Sequence, residues 1–172
     1  MTSLNIRDLA PGVIRGAAVV AATYAALFLL MPTLTGVNPV SLLNLALASS
    51  SAFLMNLTGV AVAQSQAVLT LHGASVVVTN ECNGLGAWLL IVGAMSALPG
   101  VAWRWRIAGM AASALVVSAV NVTRIAALCY LQAEQPAWFS PFHEQIAPLL
   151  VVLTAALCFA CWIRGLDYAH QR

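Results

Sequence analysis

The sequence predicts an all-α integral membrane bundle of about four transmembrane helices, carrying an extracytoplasmic interfacial helix and a short β-hairpin. Three observations predict it. The chain of 172 residues is 62% hydrophobic and only 7% charged, with a mean hydropathy of +0.92, whereas soluble domains carry about 25% charged residues. Four runs, Gly12 to Met31, Asn83 to Leu98, Ile107 to Leu131 and Glu144 to Ile163, are apolar over close to the roughly 20 residues that a span requires. The cationic residues are all arginines, and their placement between these runs is asymmetric.

The first run follows MTSLNIRDLAPGVIRG and lacks a small-residue cleavage site ahead of a hydrophilic chain. It is expected to stay as a helix rather than to be removed as a signal peptide. The stretch Val40 to Ala63 is ambiguous: Leu43, Leu47, Leu54 and Leu57 give a one-sided helical stripe, interrupted by Asn44, Ser49, Ser50, Ser51 and Asn56. Cytoplasmic segments collect arginine. If this stretch does not cross, Arg7, Arg15, Arg104, Arg106, Arg164 and Arg172 all fall on one side. The expectation is therefore an interfacial helix or helix pair on the outer surface, with both termini cytoplasmic.

Next, Ala67 to Thr79 holds two β-branched runs around His72-Gly73, the pattern of a hairpin. It leads directly into Cys82. The length accommodates one domain, residues 1–172, with no room for a separate soluble one.

Composition also excludes function classes. A net charge of +2 from scattered arginines makes no nucleic-acid-binding surface. The cysteines do not form a disulfide framework: Cys129, Cys158 and Cys161 lie in apolar runs, where free Cys is a small buried residue. Cys158 and Cys161 form a CxxC, yet within a lipid-buried helix and without a second ligand pair. No phosphate-binding loop, haem motif or metal cluster is present in the sequence, so no cofactor is expected.

Three residues carry the candidate chemistry. Arg124, in AVNVTRIAALCYL, is the one arginine inside a span, and an intramembrane charge is a functional-site hypothesis by default. Asn121, three residues earlier, shares its helical face, whereas Cys129 does not. The simpler alternative is an arginine that snorkels or pairs structurally. Cys82, in Glu81-Cys82-Asn83-Gly84, stands where the second span begins; free helix N–H groups there favour a thiolate. Glu81 opposes this unless Arg124 or a protonated histidine is near. The alternative is a small residue at a turn formed by Asn83 and Gly84. His143, in PAWFSPFHEQIAP, lies at the outer start of the fourth span, with Ser140 the expected N-cap and Pro141 the first helical residue. A solvated interfacial histidine is its bland reading.

The arginine-based topology places Cys82, Arg124 and His143 in the outer half of three different helices. Nucleophile, acid or base, and cationic stabiliser are the roles of an acyl-transfer site. His72 is a turn residue and a reserve base, and His170 falls in the cytoplasmic tail. Glu134 is expected to be solvated; Glu144 either orients His143 or is solvated. Pro148 is expected to kink the fourth span.

At these residues the chain resembles the exosortase and archaeosortase family of membrane-embedded cysteine transpeptidases. The resemblance covers about Val40 to Ile163: Leu57-Thr-Gly-Val60, the strand-like AVLTLHGASVVVTN, then ECNG, NVTRI and FHEQ. A Cys followed by a small polar residue and Gly, an Asn-x-x-Arg helix motif and a later His map onto Cys82, Arg124 and His143. The resemblance implies a peptidase that recognises exported proteins by a C-terminal signature, transmembrane helix and basic cluster. It implies cleavage through a thioester on Cys82 and transfer to an acceptor, with Arg124 holding the oxyanion or carbonyl and His143 acting as acid or base. Glu81, Asn83, Gly84 and Asn121 would support that site. Asn83 stands where the family usually has serine, and the chain is shorter than eight-span members. The NECNG form and compact size look most like exosortase H. The implied location is the bacterial or archaeal cytoplasmic membrane, with the site on the extracytoplasmic face. The competing reading is a non-enzymatic transporter component or assembly module that uses Arg124 to bind an anionic substrate or partner.

Overall fold

The computed structural model describes the backbone of residues 6–170 and the side-chain surroundings of residues 10–166. The side chains of Arg7, His170 and Arg172, used above for topology, lie outside those described residues. The chain is an all-α membrane bundle with a small sheet at one end. Helix α1 (Ile6–Ala25) passes through a π-helical turn (Ala26–Leu30) into α2 (Met31–Thr35), and α3 is Pro39–Leu57. Strands β1 (Ala63–Ser65), β2 (Val68–Leu71) and β3 (Ala74–Val77) precede α4 (Leu85–Ala97), α5 (Trp103–Glu134) and α6 (Pro136–Pro141). A second π-helical turn (Phe142–Ile146) leads into α7 (Ala147–His170).

The two π-helical turns share a cause. Met31 donates its N–H to the carbonyl of Ala26, and Ala147 donates to that of Phe142. Each of these donors is followed by a proline, Pro32 or Pro148. Proline has no N–H and its ring clashes with the carbonyl four residues back, so the preceding turn widens. The distortion expected from Pro148 thus takes the form of a π-helical turn, and that turn contains His143.

The bundle has two distinct ends. Near one end, α1 and α4 meet through Gly12, Gly16, Gly93 and Ala97, where a β-carbon on any of the three glycines would strike the facing helix. This is the small-xxx-small packing by which membrane helices approach closely. At the same end Arg106 is buried and donates to the carbonyls of Met95, Ser96, Leu98 and Val101. It therefore satisfies the last carbonyls of α4, which would otherwise lack partners. Trp162 of α7 donates to Trp105 O at 3.0 Å. The start of α5 and the C-terminal part of α7 thus lie there too.

The other end holds the sheet. Its order is β1-β2-β3, antiparallel throughout, with Leu71 paired to Ala74 and Ser65 to Val68. The β2–β3 loop is His72-Gly73, with φ of 48° and 85°. Positive φ at both positions is the type I′ geometry that matches strand twist. The hairpin expected around His72-Gly73 is present, and β1 extends it to three strands. Leu69, Leu71 and Val78 pack with Leu47, Ala48, Ala52 and Met55 of α3 and with Ile125 and Cys129 of α5. A second core joins Ile91 and Met95 of α4, Val117 of α5, and Val151 and Ala155 of α7.

Among the described residues, four helical segments are long and apolar enough to cross a membrane: Ala10–Thr35, Pro39–Leu57, Trp103–Glu134 and Pro136–Leu166. Three contain expected spans. The exchange concerns the remaining one. Asn83 to Leu98 shrinks to the 13 residues of α4, about 20 Å at 1.5 Å per residue, short of a hydrocarbon core of about 30 Å. In its place α3 meets the length and composition. α3 packs against α5, the π-helical turn Ala26–Leu30, β1 and β2. Two of its polar residues, Asn44 and Ser51, are buried, with Ser51 Oγ bonded to Leu47 O (2.7 Å) and Val122 O (3.1 Å). Ser49, Ser50 and Asn56 are exposed, so the polar residues that interrupt the stripe divide between the two faces of the helix. The helix stops at Leu57, so the expected stretch to Ala63 is not helical throughout and forms one helix, not a pair.

Candidate active site

The loop between β3 and α4 is tied down from three sides. Asn44 of α3 donates to Asn80 Oδ1 at 2.9 Å and accepts from Asn83 Nδ2 at 2.9 Å, so one buried amide spans both flanks of Glu81-Cys82. Asn83 Oδ1 in turn accepts the N–H of Leu85 at 3.0 Å, capping α4. Gly84 has φ of 74° and a β-carbon there would lie 3.2 Å from Val117 Cγ1. Glycine is required both by the left-handed conformation and by the approach to α5.

Cys82 donates its N–H to Thr79 O at 3.0 Å, and its carbonyl accepts from Asn121 Nδ2 at 2.7 Å. Helix α4 begins at Leu85, so Cys82 precedes the helix by one loop turn and not by a single residue. The helix-terminus field expected to act on the thiol falls off within the first turn. Asn83, not Cys82, uses a free N–H there.

Arg124 is buried, 7% exposed, one turn after Asn121 on α5. Its Nη1 lies 3.4 Å from Asn121 Oδ1, and its Nε is buried without a partner. Among the described residues no carboxylate pairs with it; the sole ion pair there is His72 with Glu134. A desolvated guanidinium lacking an anionic partner is costly and retains donors for a carbonyl, oxyanion or carboxylate. Asn121, fully buried, joins Arg124 to the Cys82 carbonyl.

His143 sits in the π-helical turn and stacks on Phe139 with ring centroids 5.5 Å apart and planes 13° apart. Its Nδ1 is buried without a hydrogen-bond partner. Stacking, not a carboxylate, therefore sets the ring plane. Ser140 is not an N-cap: the helix begins at Pro136, and Ser140 Oγ donates to Glu144 Oε1 at 2.7 Å. Glu144 is thereby drawn to Ser140 rather than to His143.

A cavity of about 360 Å³ unites these parts. It is lined by Ser75 to Thr79, from edge strand β3 and its extension, and by Phe139 and His143. Ile125, Leu128 and Gln132 of α5, with Glu81 and Cys82 of the loop, complete the lining. Cys82 and His143 thus open onto the same space. Arg124 does not line it, but stands four residues from Leu128 in the same helical stripe. Asn83 and Gly84 face a separate apolar cavity of about 280 Å³ beside Trp88 and Val117.

The remaining sequence candidates fall elsewhere. His72 is mostly exposed, and its Nδ1 lies 2.6 Å from Glu134 Oε1, so Glu134 holds the hairpin tip to the end of α5 instead of being merely solvated. Cys129 is core, while Cys158 and Cys161 line a cavity with Trp105 and Trp162, at the end of the bundle that holds Arg106. Asn44, Asn80, Gln132 and Phe139 were not singled out from sequence. For Asn44 a signal existed, since it lies seven residues before Ser51 and both fall on the face of α3 that carries Leu47 and Ala48.

No curated protein and no solved structure gives a significant match to the chain. The sequence model described as transmembrane exosortase matches residues 13–161, which takes in every candidate residue of the site. The chain belongs to the transmembrane exosortase family, membrane-embedded enzymes of protein sorting.

Proposed function

We propose that this protein is a cysteine transpeptidase that removes the C-terminal sorting tails of exported proteins and passes the trimmed chain to an acceptor. The observation that carries this reading is that Cys82 and His143 open onto one cavity, while the buried guanidinium of Arg124 has no carboxylate partner among the described residues and is linked to Cys82 through Asn121. In this reading the Cys82 thiol proton passes to His143 as sulfur attacks the scissile carbonyl. The oxyanion is stabilised by donors of Arg124. His143 returns the proton to the leaving amine, so the C–N bond breaks and a thioester on Cys82 remains. Attack by an acceptor amine or by water, deprotonated by His143, releases the product and restores the thiol.

The site belongs, in this reading, on the extracytoplasmic face of a bacterial or archaeal cytoplasmic membrane, with both termini cytoplasmic. The support is the partition of the bundle: Arg106 and the Trp105–Trp162 contact mark one end, and the sheet, Cys82 and His143 mark the other. The substrates would be exported proteins ending in a signature, a transmembrane helix and a basic cluster.

The test is co-expression of wild type and Cys82→Ala with an exported reporter that carries such a tail. Wild type is expected to shorten the reporter and C82A to leave it intact at equal membrane abundance. Tail removal by C82A would overturn the reading and leave Arg124 as a binding residue only.

A further inference from the structure

The main-chain pairing of β3 has a free side. Leu71 and Ala74 flank a two-residue type I′ loop and so exchange hydrogen bonds; pairing then alternates along the ladder. Val78 N donates to Ala67 O at 2.8 Å, in the same phase. Ala74, Val76 and Val78 therefore turn their main-chain groups toward β2, and Ser75, Val77 and Thr79 turn theirs away from it. Thr79 O confirms the phase, because it accepts from Cys82. β3 is an edge strand, and no hydrogen bond is made by the outward N–H groups of Ser75 and Val77 among the described residues.

Ser75, Val77 and Thr79 are exposed, and Ser75 to Thr79 line the cavity that Cys82 and His143 also line; these five residues present about 13 Å of edge at about 3.3 Å per step. The same lining includes Phe139 and His143, from α6 and the π-helical turn. A free strand edge that shares a cavity with a thiol and an imidazole is complementary to an extended peptide main chain. It is not complementary to a helix, whose main-chain groups are already paired.

We infer that the substrate segment ahead of the scissile bond binds as a fourth strand, adding to the sheet along β3 through the main-chain groups of Ser75 and Val77, with its scissile carbonyl delivered to Cys82. This rests on the reading of Cys82 as nucleophile. Recognition by main-chain pairing requires an unfolded segment and places alternate substrate side chains toward Leu128 and Gln132 of α5. The other side chains face away from it.

Two experiments on the full-length membrane protein test this, using a tailed reporter that wild type processes. Val77→Pro removes one outward N–H and leaves the β2 pairing intact. Gln64→Pro makes the equivalent change on the far edge, β1. V77P is expected to slow processing at least tenfold at unchanged membrane abundance, and Q64P to stay within twofold of wild type. Val77→Ala, which keeps the N–H, is expected to process at least fivefold faster than V77P. In the second experiment, Gln132→Cys is combined with Cys82→Ala, and single cysteines are placed at successive reporter positions ahead of the cut. Disulfide capture is expected at every second position. Processing by V77P at the wild-type rate, or capture without a two-residue period, would overturn strand addition. Undiminished processing by C82A would instead overturn the nucleophile assignment, a separate outcome.

Discussion

The side-chain amide of Asn121 donates to the main-chain carbonyl of Cys82 over 2.7 Å, and the other end of that same amide faces Nη1 of Arg124. One α5 residue therefore sets both the position of the cysteine loop and the direction of the buried cation. Asn121→Leu removes both ties and leaves a buried carbonyl and guanidinium unpaired, a loss of about 1–3 kcal/mol each. Asn121→Asp restores a partner for Arg124 but occupies its donors. The expected outcome is that N121L is destabilised in thermal unfolding in detergent, whereas N121D is more stable than N121L. Both lose at least roughly tenfold in tail processing, equivalent to about 1.4 kcal/mol.

Asn44 holds Asn80 and Asn83 on either side of Cys82. Asn44→Leu strands the buried amide of Asn83 and releases the exposed amide of Asn80, and is expected to cost about 1–3 kcal/mol for the one buried unsatisfied group. Protease sensitivity of the 79–84 loop checks it: cleavage there should rise in N44L and not in Ser49→Leu, whose site on the same helix is exposed.

Gly84→Ala meets two obstacles at once, a φ of 74° and a β-carbon 3.2 Å from Val117. The left-handed conformation alone costs about 1–2 kcal/mol for a non-glycine residue. The variant should melt lower than wild type. Val117→Ala in the same chain should recover part of the loss, because it removes the clash but not the strain.

At the opposite end, Arg106 spreads its donors over four carbonyls at the end of α4. Lysine lacks the planar fork that reaches several acceptors together. Arg106→Lys is therefore expected to destabilise nearly as much as Arg106→Ala, by about 2–4 kcal/mol at about 1–3 kcal/mol for a charged hydrogen bond and its orphaned acceptors. Arg104→Ala, at an exposed position, should be close to neutral. Unfolding midpoints of the three variants provide the comparison.

The parts of the fold legible in the sequence were those with a local signature. Apolar runs mark α1, α5 and α7, and His72-Gly73 marks the hairpin because only a few residue pairs suit two positive φ values. The spacing of Asn121 and Arg124 places them on one helical face, as observed. What was not legible depends on distant partners. Asn44 read only as an interruption of an apolar stripe, because its partners, Asn80 and Asn83, lie 36 and 39 positions away. Arg106 read as a loop charge because only the fold brings the end of α4 to it. The start of the helix that leads to His143 was placed at Ser140 since Ser-Pro is a common start signal, whereas Gln135-Pro136 takes that role. Strand β1 is Ala63-Gln64-Ser65, exposed throughout and without a large apolar residue, so it has no alternation to detect.

The central claim is that Cys82 forms a covalent bond to the substrate, and capture of that bond tests it most directly. Purified full-length protein, mixed with a tailed reporter in detergent and quenched in acid, is expected to yield an adduct of the two chains. Neutral hydroxylamine should release that adduct, tryptic mass spectrometry should locate it at Cys82, and C82A should not form it. An adduct at another residue, or tail removal by C82A, would contradict the account.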